Sequence, residues 1–228
     1  AADPATLCPF CDEQLPASPS TELLQLRTRM EAIPTPDPLP ENSGHRRPAS
    51  IVQVQGYCEQ HRMERNVLPL AVAENWPFQP AFDALFDRVI ALGPSLTALR
   101  EELENSSFFR ESKAHYTPAP SLPGAQPMSM TQMLSVGHQY SSSERLRAQS
   151  AGYYGEIGYQ IIMVALRFMF PDGSDLELYE PLPYNVVLPE VLLPETVVRL
   201  VQEDLKITPR AAKLVINDSY TFGVTRHP

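Results

Sequence analysis

Leu23, Leu26 and Met30 recur at three- and four-residue spacing behind Ser20, whose hydroxyl can cap a first turn that also holds Glu22. This pattern predicts a helix from Ser20 to about Met30, ended before Pro34. Residues 34–48 carry Pro34, Pro36, Pro38, Pro40 and Pro48, too many prolines for a helix or a central strand, and read as an extended surface segment. Ile51, Val52 and Val54 are β-branched and predict a short strand leading to Gly56, followed by helix from Cys58 through Asn66. Phe82, Leu85, Phe86, Val89 and Ile90 follow the spacing of an amphipathic helix stopped at Gly93-Pro94, and a second helix starts near Ser95 with Leu96, Leu99 and Leu103 on one side.

From Ser106 to about Gln149 the chain holds Ser, Pro, Gly, Gln and Met with little periodicity, which predicts a long loop or internal linker. Helical spacing resumes from about Tyr154 to Phe170 and stops at the turn signal Pro171-Asp172-Gly173. Pro194 opens a helix to about Leu205, and Thr208-Pro209 opens another that reaches Ser219. Strands and helices do not alternate as a parallel sheet requires. The expected fold is therefore mostly α: an irregular α-rich domain with a metal-bound module at its N-terminus. Residues 1–228 are expected to form a single domain, with 1–70 as the module and 71–228 as a helical core carrying the loop near 106–149.

Composition agrees with a folded chain, since 43% of the residues are hydrophobic and can fill a core. The apolar run from Ile161 to Phe170 is interrupted by Arg167 and falls short of the roughly 20 residues that cross a bilayer, so no membrane span is expected. The first residue is Ala, which predicts a segment of a longer or processed chain. A net charge of −9 opposes non-specific attraction to nucleic acid. The basic clusters are His45-Arg46-Arg47 and Arg62 with Arg65.

Three cysteines cannot form a fully paired disulfide framework. Cys8-Pro9-Phe10-Cys11 brings two thiolates round a tight turn, and Cys58-Glu59-Gln60-His61 repeats that spacing at an expected helix start. Together they supply three thiolates and one imidazole, a donor set that suits one zinc ion, and four protein ligands leave no position for a reactive water. The expected role is structural, and such a site can contribute on the order of 10 kcal/mol of apparent binding free energy. His45 is an alternative fourth ligand but lacks the short spacing to Cys58. Cys-Pro-Phe-Cys also resembles the active site of glutaredoxins. Here Asp12-Glu13 would raise a thiol pKa, and Leu15-Pro16 interrupts the helix that such a site needs.

Other chemistry is not signalled. The chain has no His-Glu-x-x-His, no phosphate-binding Gly-rich loop, no Gly-x-Ser-x-Gly and no His-x-Glu to accompany a deaminase cysteine pair. His138, Tyr140 and the serines 141–143 read as a solvated stretch. The string Gly152-Tyr153-Tyr154-Gly155-Glu156-Ile157-Gly158-Tyr159 admits two readings: Tyr153, Tyr154 and Glu156 as a recognition surface, or glycines that permit close helix packing while the tyrosines fill a core edge.

The cysteine pair with Asp12-Glu13, the segment Cys58 to Arg62 and the Gly-Tyr-Tyr-Gly-Glu string together resemble the RTC4-like domain of fungal proteins. Val191-Leu192-Leu193-Pro194-Glu195 and Arg199 to Asp204 fit the same family, so that the resemblance runs from Cys8 to about Gly223. Ile157 departs from it, standing where a basic residue is expected. The family name refers to restriction of telomere capping and implies nuclear or chromatin-linked work without an enzymatic activity. The expectation is a non-enzymatic, zinc-stabilised domain that docks a protein partner in the nucleus or cytoplasm. The alternatives are DNA binding through Arg46, Arg47, Arg62 and Arg65, and an enzyme near Tyr153, Tyr154 and Glu156.

Overall fold

A computed structural model describes residues 6–32, 34–48, 50–116, 147, 150–171 and 182–228. The expected turn at Asp172-Gly173, His138, Tyr140, the serines 141–143 and most of the expected 106–149 loop lie outside the described residues. The chain divides into two compact units, Ala1–Asn75 and Trp76–Pro228.

The first unit begins with a tight loop. Leu7 bridges Gln14, the Leu15 amide donates to the Thr6 carbonyl over 2.7 Å, and the Cys8 amide donates to the Glu13 carbonyl over 2.7 Å. These bonds place Cys8 to Cys11 at the loop tip. Helix α1 (Thr21–Glu31) follows as expected, with the Ser20 hydroxyl accepting from the Leu23 amide. The proline-rich segment is a miniature hairpin: β1 (Thr35–Pro36) pairs antiparallel with β2 (Arg46–Arg47), Thr35 opposite Arg47 and Pro36 opposite Arg46.

Helix α2 (Ile51–Arg62) corrects the expected strand at Ile51 to Val54. Val54, Tyr57, Cys58 and His61 lie at helical spacing and are all buried, whereas the β-branched Ile51 and Val52 are 79% and 76% exposed. The burial stripe outweighs local β propensity. The helix runs on through a π-helical turn (Met63–Val67) into α3 (Leu68–Ala73). The buried cluster beside the loop is small: Cys8, Phe10, Leu23, Val54, Tyr57 and Cys58, with Leu15, Leu26 and Met30 packed at its edge; Met63 and Ala71 are buried further along the chain.

In the second unit α4 (Phe82–Ala91) and α5 (Gly93–Ala98) form at the predicted positions, and a 3-10 segment (Leu99–Asn105) leads to α6 (Ser107–Tyr116). Helix α6 corrects the linker expected to start at Ser106. The Ser106 hydroxyl accepts from the Phe109 amide and so opens the helix, while Phe108, Phe109 and Ser112 are buried. A single 3-10 turn (Gly152–Tyr154) leads into α7 (Gly155–Met169), whose Ile162, Ala165 and Leu166 face the core and pack against α4. A short α8 (Tyr184–Val187) and a π-helical turn (Leu188–Leu192) run into α9 (Leu193–Leu205), followed by α10 (Pro209–Asp218), capped by Thr208, and α11 (Tyr220–Arg226). Its core draws on Leu85, Val89, Leu96, Ile162, Leu166, Leu188, Leu192, Val197, Val201 and Phe222. No described helix is long and apolar enough to cross a membrane.

Candidate metal centre

The Cys8–Cys11 loop and α2 converge on one point. The ligand atoms of Cys8, Cys11, Cys58 and His61 all lie within 4.8 Å of one another. Cys8 Sγ is 4.0 Å from Cys58 Sγ, and Cys11 Sγ is 3.3 Å from His61 Nε2. A four-coordinate ion with bonds of about 2.0–2.3 Å has ligand–ligand edges of about 3.4–3.8 Å. The two distances lie close to those edges, and the three sulfurs and one imidazole nitrogen of the group could hold a metal ion. Cys8, Cys58 and His61 are buried and Cys11 is partly so.

The electrostatics point the same way. A hydrogen bond from Cys58 draws the Cys8 thiol well below its usual range, the same bond together with burial pushes Cys58 up, and burial raises Cys11. Buried thiols this close cannot all ionise beside one another. A bound cation removes that conflict, because it favours the thiolate at every sulfur.

The surroundings brace the ligands. The Phe10 amide donates to Cys8 Sγ over 3.5 Å, and the Phe10 ring meets Tyr57 edge-on at 5.5 Å. Asp12 completes the turn with a left-handed φ of 61°, tolerable for an aspartate. No helix follows Cys11, so the dithiol lacks the helix N-terminus that a glutaredoxin-like site uses. His61 Nδ1 is buried without a hydrogen-bond partner among the described residues, and the Tyr57 ring lies 5.6 Å from the imidazole. His45 is not a member of the group; its Nδ1 lies 2.9 Å from the Asp37 carbonyl.

The four arginines near the centre are engaged within the unit. Arg62 makes two bonds to Glu13, of 2.8 and 2.7 Å, and that guanidinium holds the Glu13 carboxyl below its usual range. Arg65 donates to the Gln14 carbonyl and side chain, both over 2.8 Å. Both bonds run from the α2 helix and its π-helical extension to the loop just past Cys11. Arg47 bonds Asp37 at 3.1 and 2.8 Å, and Arg46 reaches the Pro34 carbonyl at 3.4 Å. Sequence reading missed Asn42, which is 1% exposed and donates to both the Cys8 carbonyl and Asp12. The only local signal for it is the Asn42-Ser43-Gly44 turn composition.

The second sequence landmark is a packing device. Tyr153 and Tyr154 are 0% and 1% exposed, which corrects their reading as a recognition surface; Glu156 alone of the three is exposed. Both hydroxyls donate to Asp204 Oδ2, at 2.6 and 2.5 Å, and Arg88 bonds Asp204 Oδ1 at 2.8 Å. Burial above all raises both phenols, followed by Tyr154 and then Asp204 for Tyr153, and by Asp204 for Tyr154. A Cβ on Gly223 would sit 1.9 Å from the Gly152 carbonyl oxygen, and one on Gly155, at φ 63°, would sit 2.3 Å from the Gly223 oxygen. Three glycines therefore let α11 lie directly on the backbone of residues 152–155.

No curated protein and no solved structure matches the chain. A family model matches residues 126–228, a range that contains the Gly152–Tyr159 string and the Arg88 partner Asp204 but not the cysteines and His61. That model describes the RTC4-like domain, and residues 126–228 are similar to it.

Proposed function

We propose that Cys8, Cys11, Cys58 and His61 hold one structural zinc ion, and that the chain is a non-enzymatic protein-interaction domain serving telomere- or chromatin-linked work in the nucleus or cytoplasm. The observation that carries this reading is the buried cluster of four ligand atoms within 4.8 Å of one another. Three thiolates and a neutral imidazole suit zinc, and four protein ligands fill its usual tetrahedron, so the ion would brace the fold rather than activate water. The RTC4-like match supports the telomere-linked setting through its family name.

Two rival readings lose support. Arg46, Arg47, Arg62 and Arg65 each bond a partner within the unit, and the net charge of −9 opposes attraction to phosphate. An enzymatic site at 153–156 would need reachable tyrosines, and both are buried. Affinity purification from nuclear extract, with and without nuclease, tests the interaction reading. Protein partners that survive nuclease are expected. Loss of every partner on nuclease treatment, or duplex DNA binding that falls steeply with salt, would favour the DNA-binding reading instead.

A further inference from the structure

Asn42 sits in the proline-rich hairpin, far from the cysteine loop in sequence, yet its side chain is fully committed there. Its Nδ2 donates to the Cys8 carbonyl over 2.8 Å and to Asp12 Oδ1 over 2.7 Å. Its Oδ1 accepts from the Gly44 amide over 3.1 Å, which fixes the orientation of the carboxamide. Its own backbone closes the hairpin tip: Leu39 and His45 amides donate to the Asn42 carbonyl, and the Asn42 amide donates to Leu39. The Arg46 amide, on the returning strand, donates to the Pro9 carbonyl over 2.8 Å. The hairpin thus grips the Cys8–Cys11 turn at three points, Pro9, Cys8 and Asp12, and the residue at Asp12 is the one that must hold a left-handed φ.

We propose that Asn42 is a positioning residue for the metal centre: it locks the Cys8–Cys11 turn in its ligating shape, so that metal binding and hairpin closure are coupled. This rests on the metal reading above. Few side chains can do this. The position needs two donors aimed at two acceptors together with one acceptor for an amide, and a buried carboxamide supplies all three at the length of asparagine. A carboxylate there would face the Cys8 carbonyl and the Asp12 carboxylate with acceptors only.

The test uses the full chain loaded with zinc, with release measured by a chromogenic chelator, and the cobalt-substituted protein for its visible spectrum. Asn42→Asp is expected to speed metal release about 10–100-fold, the usual cost of losing a residue that orients ligands from behind. Asp12→Asn keeps an acceptor for Asn42 and tolerates a left-handed φ, so release should stay near that of the parent. In the double variant Asn42→Asp/Asp12→Asn, the amide introduced at position 12 can donate to the carboxylate introduced at position 42, and release should slow again. Such recovery is not expected of a merely destabilised fold. Asn42→Ala removes the donors without adding charge and serves if the aspartate variant does not fold. Parent-like release and an unchanged cobalt spectrum in Asn42→Ala or Asn42→Asp, or no recovery in the double variant, would overturn the inference. A parent protein that binds no metal would instead remove the reading beneath it.

Discussion

The two units solve the problem of holding a fold in opposite ways. The second has a wide apolar interior in which Leu85, Ile162, Leu166, Leu188, Leu192 and Phe222 are fully buried. The first has, beside the cysteine loop, a buried cluster of only six described residues, two of which are the cysteines Cys8 and Cys58. Domains this small bury too little apolar surface to offset chain entropy comfortably, and they commonly rely on a metal or disulfides. The three cysteines are all free, so of these two devices a metal at the proposed centre is the one open to this unit. Where the apolar interior is large, polar chemistry is confined to details such as the Tyr153–Tyr154–Asp204 network. Where it is small, the polar chemistry is the core.

The contrast breaks first on chelation. Removing the metal should withdraw on the order of 10 kcal/mol from the first unit and leave it unfolded, while the second unit keeps its cooperative transition. Two-dimensional NMR before and after chelation reads this directly; loss of both sets of peaks, or of neither, contradicts the division of labour.

Next in size is Gly223→Ala, which forces a methyl into the Gly152 carbonyl 1.9 Å away. It should destabilise the second unit by about 3 kcal/mol or more without changing metal content. Thermal unfolding together with elemental analysis separates the two effects.

Tyr154→Phe sharpens the comparison from within the second unit. It deletes one of two hydroxyls on Asp204 and should cost about 1.5–3 kcal/mol, as for a hydrogen bond to a charged group. Denaturant midpoints at constant m would show it.

The smallest effect belongs to Arg62→Ala. The Arg62–Glu13 pair is about half exposed, so its loss should cost about 0–1 kcal/mol. Its pH signature is more telling. Glu13 has a folded-state pKa below its unfolded value, so its contribution is present above the usual carboxylate range and fades as pH falls through the folded value. The variant should lose that part of the acid dependence, visible as a flatter stability profile at low pH.

Much of this was legible in the chain. Ser20 and Thr208 act as the caps they resemble, and the 82–91 stripe buries Leu85 and Val89 as its spacing requires. The grouping of Cys8, Cys11, Cys58 and His61 could be read from two short spacings because thiolate and imidazole chemistry is local to those residues. Three features were not legible. Ile51 and Val52 carry a strand-like signal at positions where nothing packs on them, while the decisive helical stripe from Val54 to His61 is half polar in composition. Helix α6 is marked mainly by its cap, Ser106, and by partners distant in sequence such as Glu195, whose carboxylate accepts from the Ser106 hydroxyl over 2.7 Å. Asn42 works through contacts 30 and 34 residues away, which no local window contains. The tyrosine pair admitted both a surface and a packing reading in the sequence; the packing reading holds, and what decides it is the glycine contact with α11, which is distant in sequence.

Metal stoichiometry is the most direct test of the central claim. Elemental analysis of the purified chain should find one zinc per molecule, and Cys58→Ser should bind it far more weakly while disturbing only the first unit. A metal content near zero in the parent, or a Cys58→Ser protein as metal-loaded and as stable as the parent, would contradict it.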